Sequence, residues 1–170
     1  MEEYLLVDGY NIINSWPVLQ SIAVNDLEHA RARLIEILQD YQGYRGGHII
    51  IVFDAHLTKD GVEKHEHYGN LEVVYTKTNE TADNYIERWV NANAGIGIIR
   101  VATSDYLQQV IVLARGGTRM SARELYLEVE SAEKERNRRY VNKIKYNGNS
   151  LGTMLNPSVM RKLECWRRGR

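Results

Sequence analysis

Two aspartates in this chain stand directly beyond short apolar runs, Asp8 after YLLV and Asp54 after HIIIVF, and Asp105 follows a third run, IIRVA, by three residues. A fourth aspartate, Asp83, opens a segment of helical period, with Glu80 one turn before it. Singly, each placement is what turns and helix starts favour. Collectively they mean more. If the apolar runs are parallel strands, their C-terminal ends form one rim, where open α/β sheets bind ligands, and all five carboxylates can converge there. Gathered carboxylates repel one another unless a cation neutralises them. An all-oxygen donor set suits a hard ion, Mg²⁺ or Mn²⁺. Such an ion can bind a phosphate oxygen, generate the attacking hydroxide from water and stabilise the leaving oxygen, so the chemistry expected is at phosphate.

The elements that must position these residues follow from periodicity. Residues 4–7 (YLLV), 48–53 (HIIIVF), 71–76 (LEVVYT) and 98–102 (IIRVA) read as strands, and HIIIVF is apolar on both faces, as an inner parallel strand requires. Between the first two strands, residues 8–25 read as a loop. A helix follows, capped by Asn25, with Leu27, Ala30, Leu34, Leu38 and Tyr41 on its buried face, and Gly43, Gly46 and Gly47 end it. Asn79 or Thr81 caps a second helix that buries Ala82, Ile86, Trp89 and Val90. Ser104 caps a third, ending at Gly116 and Gly117. Ser121 with Glu124 forms a capping box for a long helix, and Asn156-Pro157 starts a short last one. The order predicts an α/β domain with a parallel central sheet, right-handed crossovers and helices on both faces, followed by a basic helical C-terminal region, residues 121–170, within one domain of 170 residues.

Composition sets further bounds. With 44% hydrophobic and 26% charged residues the chain can bury a real core, and its single cysteine, Cys165, excludes an intramolecular disulfide and any multi-cysteine zinc site. The acidic start MEEYLLVDGY is unlike a signal peptide and no run is long enough to span a bilayer, so the cytoplasm is the expected location. The net charge is zero, with 22 Lys and Arg against 22 Asp and Glu, yet this neutrality is a sum of opposites. Residues 131–170 hold eleven basic against three acidic side chains, a net +8, which leaves −8 in residues 1–130. With Tyr140, Tyr146 and Trp166 interleaved, the basic block suits a surface that tracks phosphates and stacks bases, and Arg138, Arg139, Lys143 and Lys145 are its candidate contacts to substrate or ribosomal RNA.

The segments VDGYN (7–11), VFDA (52–55), TADNYIERW (81–89) and ATSD (102–105), in this order and spacing, resemble the NYN domains, relatives of the PIN-domain nucleases, and match the YacP-like branch best. The resemblance spans essentially the whole chain. It implies a PIN-like fold and a metal-dependent endoribonuclease, with Asp8, Asp83 and Asp105 as the acids that hold the metal. Asp54 matches a further acidic position, Asn11 the asparagine of the DGYN motif and Ser104 the hydroxyl before the last acid. It also implies mRNA as substrate, cut at the aminoacyl site of translating ribosomes. Toxin PIN domains are shorter and paired with an antitoxin; the long basic region here makes an antitoxin partner unexpected.

Other features carry less. His56, His65 and His67 lack the partner ligands of a zinc site. The polar loop 55–70 leaves the rim beside Asp54 and is long enough to meet substrate or ribosome. Trp16 suits a base-stacking, lid or core role; Tyr85, Trp89 and Tyr106 read as packing. Arg31 and Arg33 admit either RNA contact or a solvated helix face, the latter being the plainer reading. Two rivals to the nuclease exist: an inactive RNA- or ribosome-binding module, against which the intact aspartates speak, and a nucleotide-binding α/β domain, against which DGYNIIN speaks because it lacks a glycine-rich phosphate loop.

Overall fold

The computed structural model describes residues 1–54, 61–106, 110, 112–113 and 116–154, with side chains described as far as residue 145. Two compact units emerge, residues 1–132 and 133–170. The first is built on a six-stranded sheet: β1 (Glu3–Asp8), β2 (His48–Phe53), β3 (Lys64–Tyr68), β4 (Leu71–Tyr75), β5 (Ile98–Ala102) and β6 (Thr118–Met120), in the spatial order β3-β4-β2-β1-β5-β6. All neighbouring pairs are parallel except β3 with β4. The helices bounded within the described residues are α1 (Gly9–Ser15), α2 (Pro17–Ala23), α3 (Leu27–Arg45), α4 (Ala82–Ala92) and α5 (Ala122–Met154).

Both faces of the sheet are covered, as its strands demand. Alternate residues of the inner strands feed two cores. Leu5, Val7, Ile49, Ile51, Phe53 and Val73 pack against α1, α2, α3 and the first turns of α5. Leu6, Ile50, Val52, Val74 and Val101 face Ala82, Ile86 and Val90 of α4. Burying a Leu or Ile side chain stabilises by roughly 1.5–3 kcal/mol, so the near-continuous apolar runs are what hold the inner strands in place.

Four departures from the sequence reading have clear causes. Residues 8–25 are not a loop. Asp8 caps α1, its Oδ1 accepting from Asn11 N–H at 3.4 Å, Pro17 starts α2 at a position suited to proline, and Ile12, Ile13, Trp16 and Leu19 are buried beneath. The cap of α3 is Asp26, one residue beyond the expected Asn25, and its side chain accepts from His29 N–H at 3.0 Å. Residues 64–68, read as part of a polar loop, form the antiparallel edge strand β3; its Lys-His-Glu-His-Tyr composition is that of an exposed edge protected against pairing by polar and charged side chains. The short β6 extends the other edge. Thr81, of the two candidates, caps α4, and the capping box of α5 is present, with Ser121 N–H donating to Glu124 at 2.6 Å and Glu124 N–H to Ser121 Oγ at 3.1 Å. Most of the expected helix after Ser104, and the one at Asn156-Pro157, lie outside the described residues, as do the side chains of Tyr146, Cys165 and Trp166.

Candidate active site

The topology carries the aspartates together. From β1 the chain moves outward to β2 and β4, then crosses back to place β5 on the other side of β1, so the switch of direction falls beside the C-terminal end of β1. Open α/β sheets bind ligands at such a point. Asp8 ends β1, Asp54 follows β2 and Asp105 follows β5, the three central strands. Asp83 enters from above, in the first turn of α4, whose start lies at the same rim because β4 ends there.

Local contacts fix this arrangement. Gly9 sits where α1 begins against the end of β2, and a Cβ there would run into the Phe53 ring. Asn11 ties two of the acid-bearing loops: its N–H reaches Asp8 Oδ1, and its side-chain Oδ1 accepts from Ser104 N–H at 2.7 Å. Ser104 Oγ lies 3.4 Å from Ser15 Oγ, and Asp105 N–H donates to Thr103 Oγ1 at 3.1 Å, so the TSD turn is pinned from both sides.

The electrostatics betray the crowding. Asp8 is pushed up from 3.8 to about 7, first by burial and then by the negative charge of Asp83, with Asp54 adding to it and the Asn11 N–H opposing. Burial, Asp105 and Asp54 also raise Asp83, whereas its bond with Asp8 lowers it. Of the two, Asp8 is therefore the more readily protonated, and the interaction between the two carboxyls raises Asp8 and lowers Asp83. Among the described residues no three His, Cys, Asp or Glu side chains close on a common point as an ion's ligands. Partly buried, all-oxygen and mutually repelling, the donor set fits a hard divalent cation, which would favour the ionised form of Asp8.

The remaining candidates are distributed differently. The structure does not bring Glu80 into this set: it is buried, its Oε1 accepts from Arg88 Nε at 3.1 Å, and its Oε2 is buried without a hydrogen-bond partner among the described residues. Asn11 and Ser104 are at the rim. Arg138, Arg139, Lys143 and Lys145 are exposed on the helix of the second unit, and Arg139 pairs with Glu135 at 3.1 Å. Trp16 is core: 3% exposed, its Nε1–H donating to Ala122 O at 2.8 Å. Tyr85 is packed, under the Arg88 guanidinium, and Trp89 partly so, but Tyr106 is 73% exposed and does not pack as expected. His65 lies between two carboxylates, Nε2 to Glu63 at 2.7 Å and Nδ1 to Glu72 at 2.5 Å, which raises its pKa, Glu72 being the larger cause; His56 is outside the described residues. One feature of the rim escaped the sequence reading: Arg31 donates to the Tyr10 hydroxyl at 2.9 Å, a contact between α3 and α1 that no spacing rule signals.

Comparison with known proteins agrees with this fold. A family model described as the YacP-like NYN domain matches residues 5–168. A protein of Bacillus subtilis (strain 168) described as uncharacterized protein YacP is 45% identical over 168 residues, covering 98% of each chain. The crystal structure of Rae1 (YacP) from Bacillus subtilis is similar with a TM-score of 0.72 at 46% identity, over 98% of this chain and 95% of that one. That of a point mutant of the same protein also gives 0.72, at 44% identity over 86% and 85%.

Proposed function

This chain belongs to the YacP-like NYN family of nuclease-type domains, and from that premise we propose that it is a divalent-metal-dependent endoribonuclease that hydrolyses phosphodiester bonds of mRNA. The observation that supports it most is the coupled aspartate set, with Asp8 held partly protonated near neutral pH by burial and by Asp83. A fold that keeps such repulsion at its ligand-binding rim is arranged for a counter-charge. Asp8, Asp83 and Asp105 would hold Mg²⁺ or Mn²⁺, and Asp54 would orient the metal or the water.

When bound, the ion supplies neutralisation of the cluster, polarisation of the phosphodiester and activation of the attacking water. The chain's own residues do the rest. Asp8, partly protonated without the ion, would hold it as the carboxylate, its proton passing to solvent, while Asn11 keeps the Asp8 and Asp105 loops in register through Ser104 N–H. Glu80, tied to Arg88, holds the approach to α4 rather than joining the acids. Attack by water in line with the leaving oxygen, without use of the 2′-hydroxyl, yields 5′-phosphate and 3′-hydroxyl ends.

The proposal extends to mRNA on the translating ribosome, at the aminoacyl site, in the cytoplasm and without an antitoxin. Kinship suggests the site, and the net +8 of residues 131–170 supports contact with RNA. We take the basic region 121–170 as part of the same functional domain, in keeping with a family match that runs to residue 168. The test is cleavage of single-stranded RNA by purified protein in Mg²⁺, with and without ribosomes. Cleavage that needs ribosomes supports the full proposal, and nucleotide turnover without RNA cleavage overturns it.

A further inference from the structure

Two arginines of α3 lie two residues apart and are treated differently by the fold. Arg33 is exposed and pairs with Glu36 at 2.8 Å. Arg31 is partly buried, and its Nη1 donates to the neutral hydroxyl of Tyr10 at 2.9 Å; no carboxylate among the described residues pairs with it. A guanidinium carries five N–H donors in a rigid fork, and partial burial removes water from them. Left without a carboxylate, that fork is suited to an anion that arrives from outside.

Its surroundings indicate which anion. The Tyr10 ring packs against Phe53 at 5.1 Å, and Phe53 stacks on Tyr75 at 5.7 Å with an interplanar angle of 24°. Phe53 and Tyr75 are the last residues of neighbouring strands β2 and β4, so the rings form a ledge along the rim. Asp54 follows Phe53, and Asp8 precedes Tyr10 by two residues. Phe53 is fully buried, whereas Tyr10 and Tyr75 keep part of their surface in solvent. On the far side Lys64 Nζ lies 5.8 Å from the Tyr75 ring centre, its charge shared with Glu66 at 2.8 Å. A cation with unused donors beside partly exposed aromatic rings is the combination that holds a single nucleic-acid strand, phosphate to the cation and base to the ring. The acids next to it repel a polyanion, so a strand settles there only if a nearby positive charge offsets them.

We propose that Arg31 is a positioning residue for RNA, receiving a backbone phosphate neighbouring the scissile one, while Tyr10 fixes the guanidinium fork and the exposed part of Tyr75 takes a base. This rests on the nuclease reading above. It assigns the α3 side of the rim as the track of a single strand, because only an unpaired base has a face to lay on the ring.

The experiment compares the parent with Arg31→Gln, Arg31→Lys and Tyr10→Phe in the full chain. A single-stranded RNA oligonucleotide is titrated in EDTA over a series of NaCl concentrations, and cleavage of the RNA that the parent cuts, free or ribosome-bound, is followed in Mg²⁺. Arg31→Gln is expected to weaken binding about tenfold and to flatten the plot of log affinity against log salt by about 0.7, one phosphate contact. KM should rise while kcat stays within about threefold, as loss of uniform binding requires. Arg31→Lys should restore the salt slope but not the full affinity. Tyr10→Phe, which keeps the ring and frees the fork, should fall between. Unchanged affinity and KM in Arg31→Gln, or a loss with unchanged salt slope and a lowered Tm, overturns the assignment. If the parent cuts and Arg31→Gln keeps the parental KM, the phosphate contact falls and the nuclease reading stands. If the parent binds RNA without cutting it and Arg31→Gln binds weakly, the reverse holds. A parent that neither binds nor cuts overturns both.

Discussion

Asp8→Asn should make the metal-free protein more stable at alkaline pH, although it removes a residue assigned to the metal. The native carboxyl titrates at about 7 against an ordinary 3.8, so between these values the folded state binds a proton that the unfolded chain has lost. Stability contributed by this group is complete below the unfolded value and disappears as pH rises through the folded one. With these two values, linkage gives a loss of about 2–3 kcal/mol between pH 5 and pH 8. For a chain of this size that is a fall in Tm of about 5–10 °C. Asparagine preserves the acceptor for Asn11 N–H but carries no charge, so the Asp8 share of the slope disappears and Asp83 is relieved as well. The assay is thermal or urea unfolding of parent and variant in EDTA at several pH values. The curves should meet below about pH 4 and separate toward pH 8, the variant on top, and Mg²⁺ at pH 8 should raise only the parent appreciably. Parallel curves from pH 5 to pH 8 would refute the coupling of Asp8 to Asp83 and with it the argument for a missing counter-charge.

Three further outcomes follow from the same contacts. Binding of Mn²⁺ should release a proton, because Asp8 must ionise; calorimetry at pH 6.5 in two buffers of different ionisation enthalpy should give different apparent heats, and equal heats would count against Asp8 as a ligand. Asn11→Ala breaks the link between the Asp8 and Asp105 loops at a stability cost of about 1 kcal/mol and should lower cleavage about tenfold with little change in RNA affinity, read by parallel binding and kinetic assays. Gly9→Ala drives a Cβ into the Phe53 ring and should cost about 1–3 kcal/mol in urea unfolding, against well under 1 kcal/mol for Gly43→Ala, where a Cβ meets nothing.

How much of this could be read from residues alone depended on where the stabilising energy lies. Inner strands such as HIIIVF are apolar on both faces because both are covered, and that pattern survives without any knowledge of partners. The aspartates were legible for a related reason: strand ends are visible, so residues just beyond them are too. By contrast α1 and α2 hide in GYNIINS and PVLQSIA, segments of seven residues rich in Gly, Asn, Ser and Pro, whose helicity comes from the Asp8 cap and from burial of Ile12, Ile13 and Leu19. Edge strand β3 is polar because its position demands it, and a polar run resembles a loop. Glu80 shows the limit for the site itself: it precedes α4 and stands three residues before Asp83, but Arg88 of that helix claims its carboxylate. The Arg31–Tyr10 contact joins residues 21 apart through packing of two helices and leaves no trace in spacing.

The most direct test of the central claim is RNA cleavage by the parent and by Asp83→Asn, with Mg²⁺ and with EDTA, on free and ribosome-bound mRNA. Asp83 is preferred to Asp8 because it lies on α4 and makes no cap, so its replacement leaves the start of α1 intact. The predicted result is internal cleavage by the parent in Mg²⁺ alone, leaving 5′-phosphate ends, and none by Asp83→Asn, which still binds RNA. Cleavage at the parental rate by Asp83→Asn, or by the parent in EDTA, would contradict it.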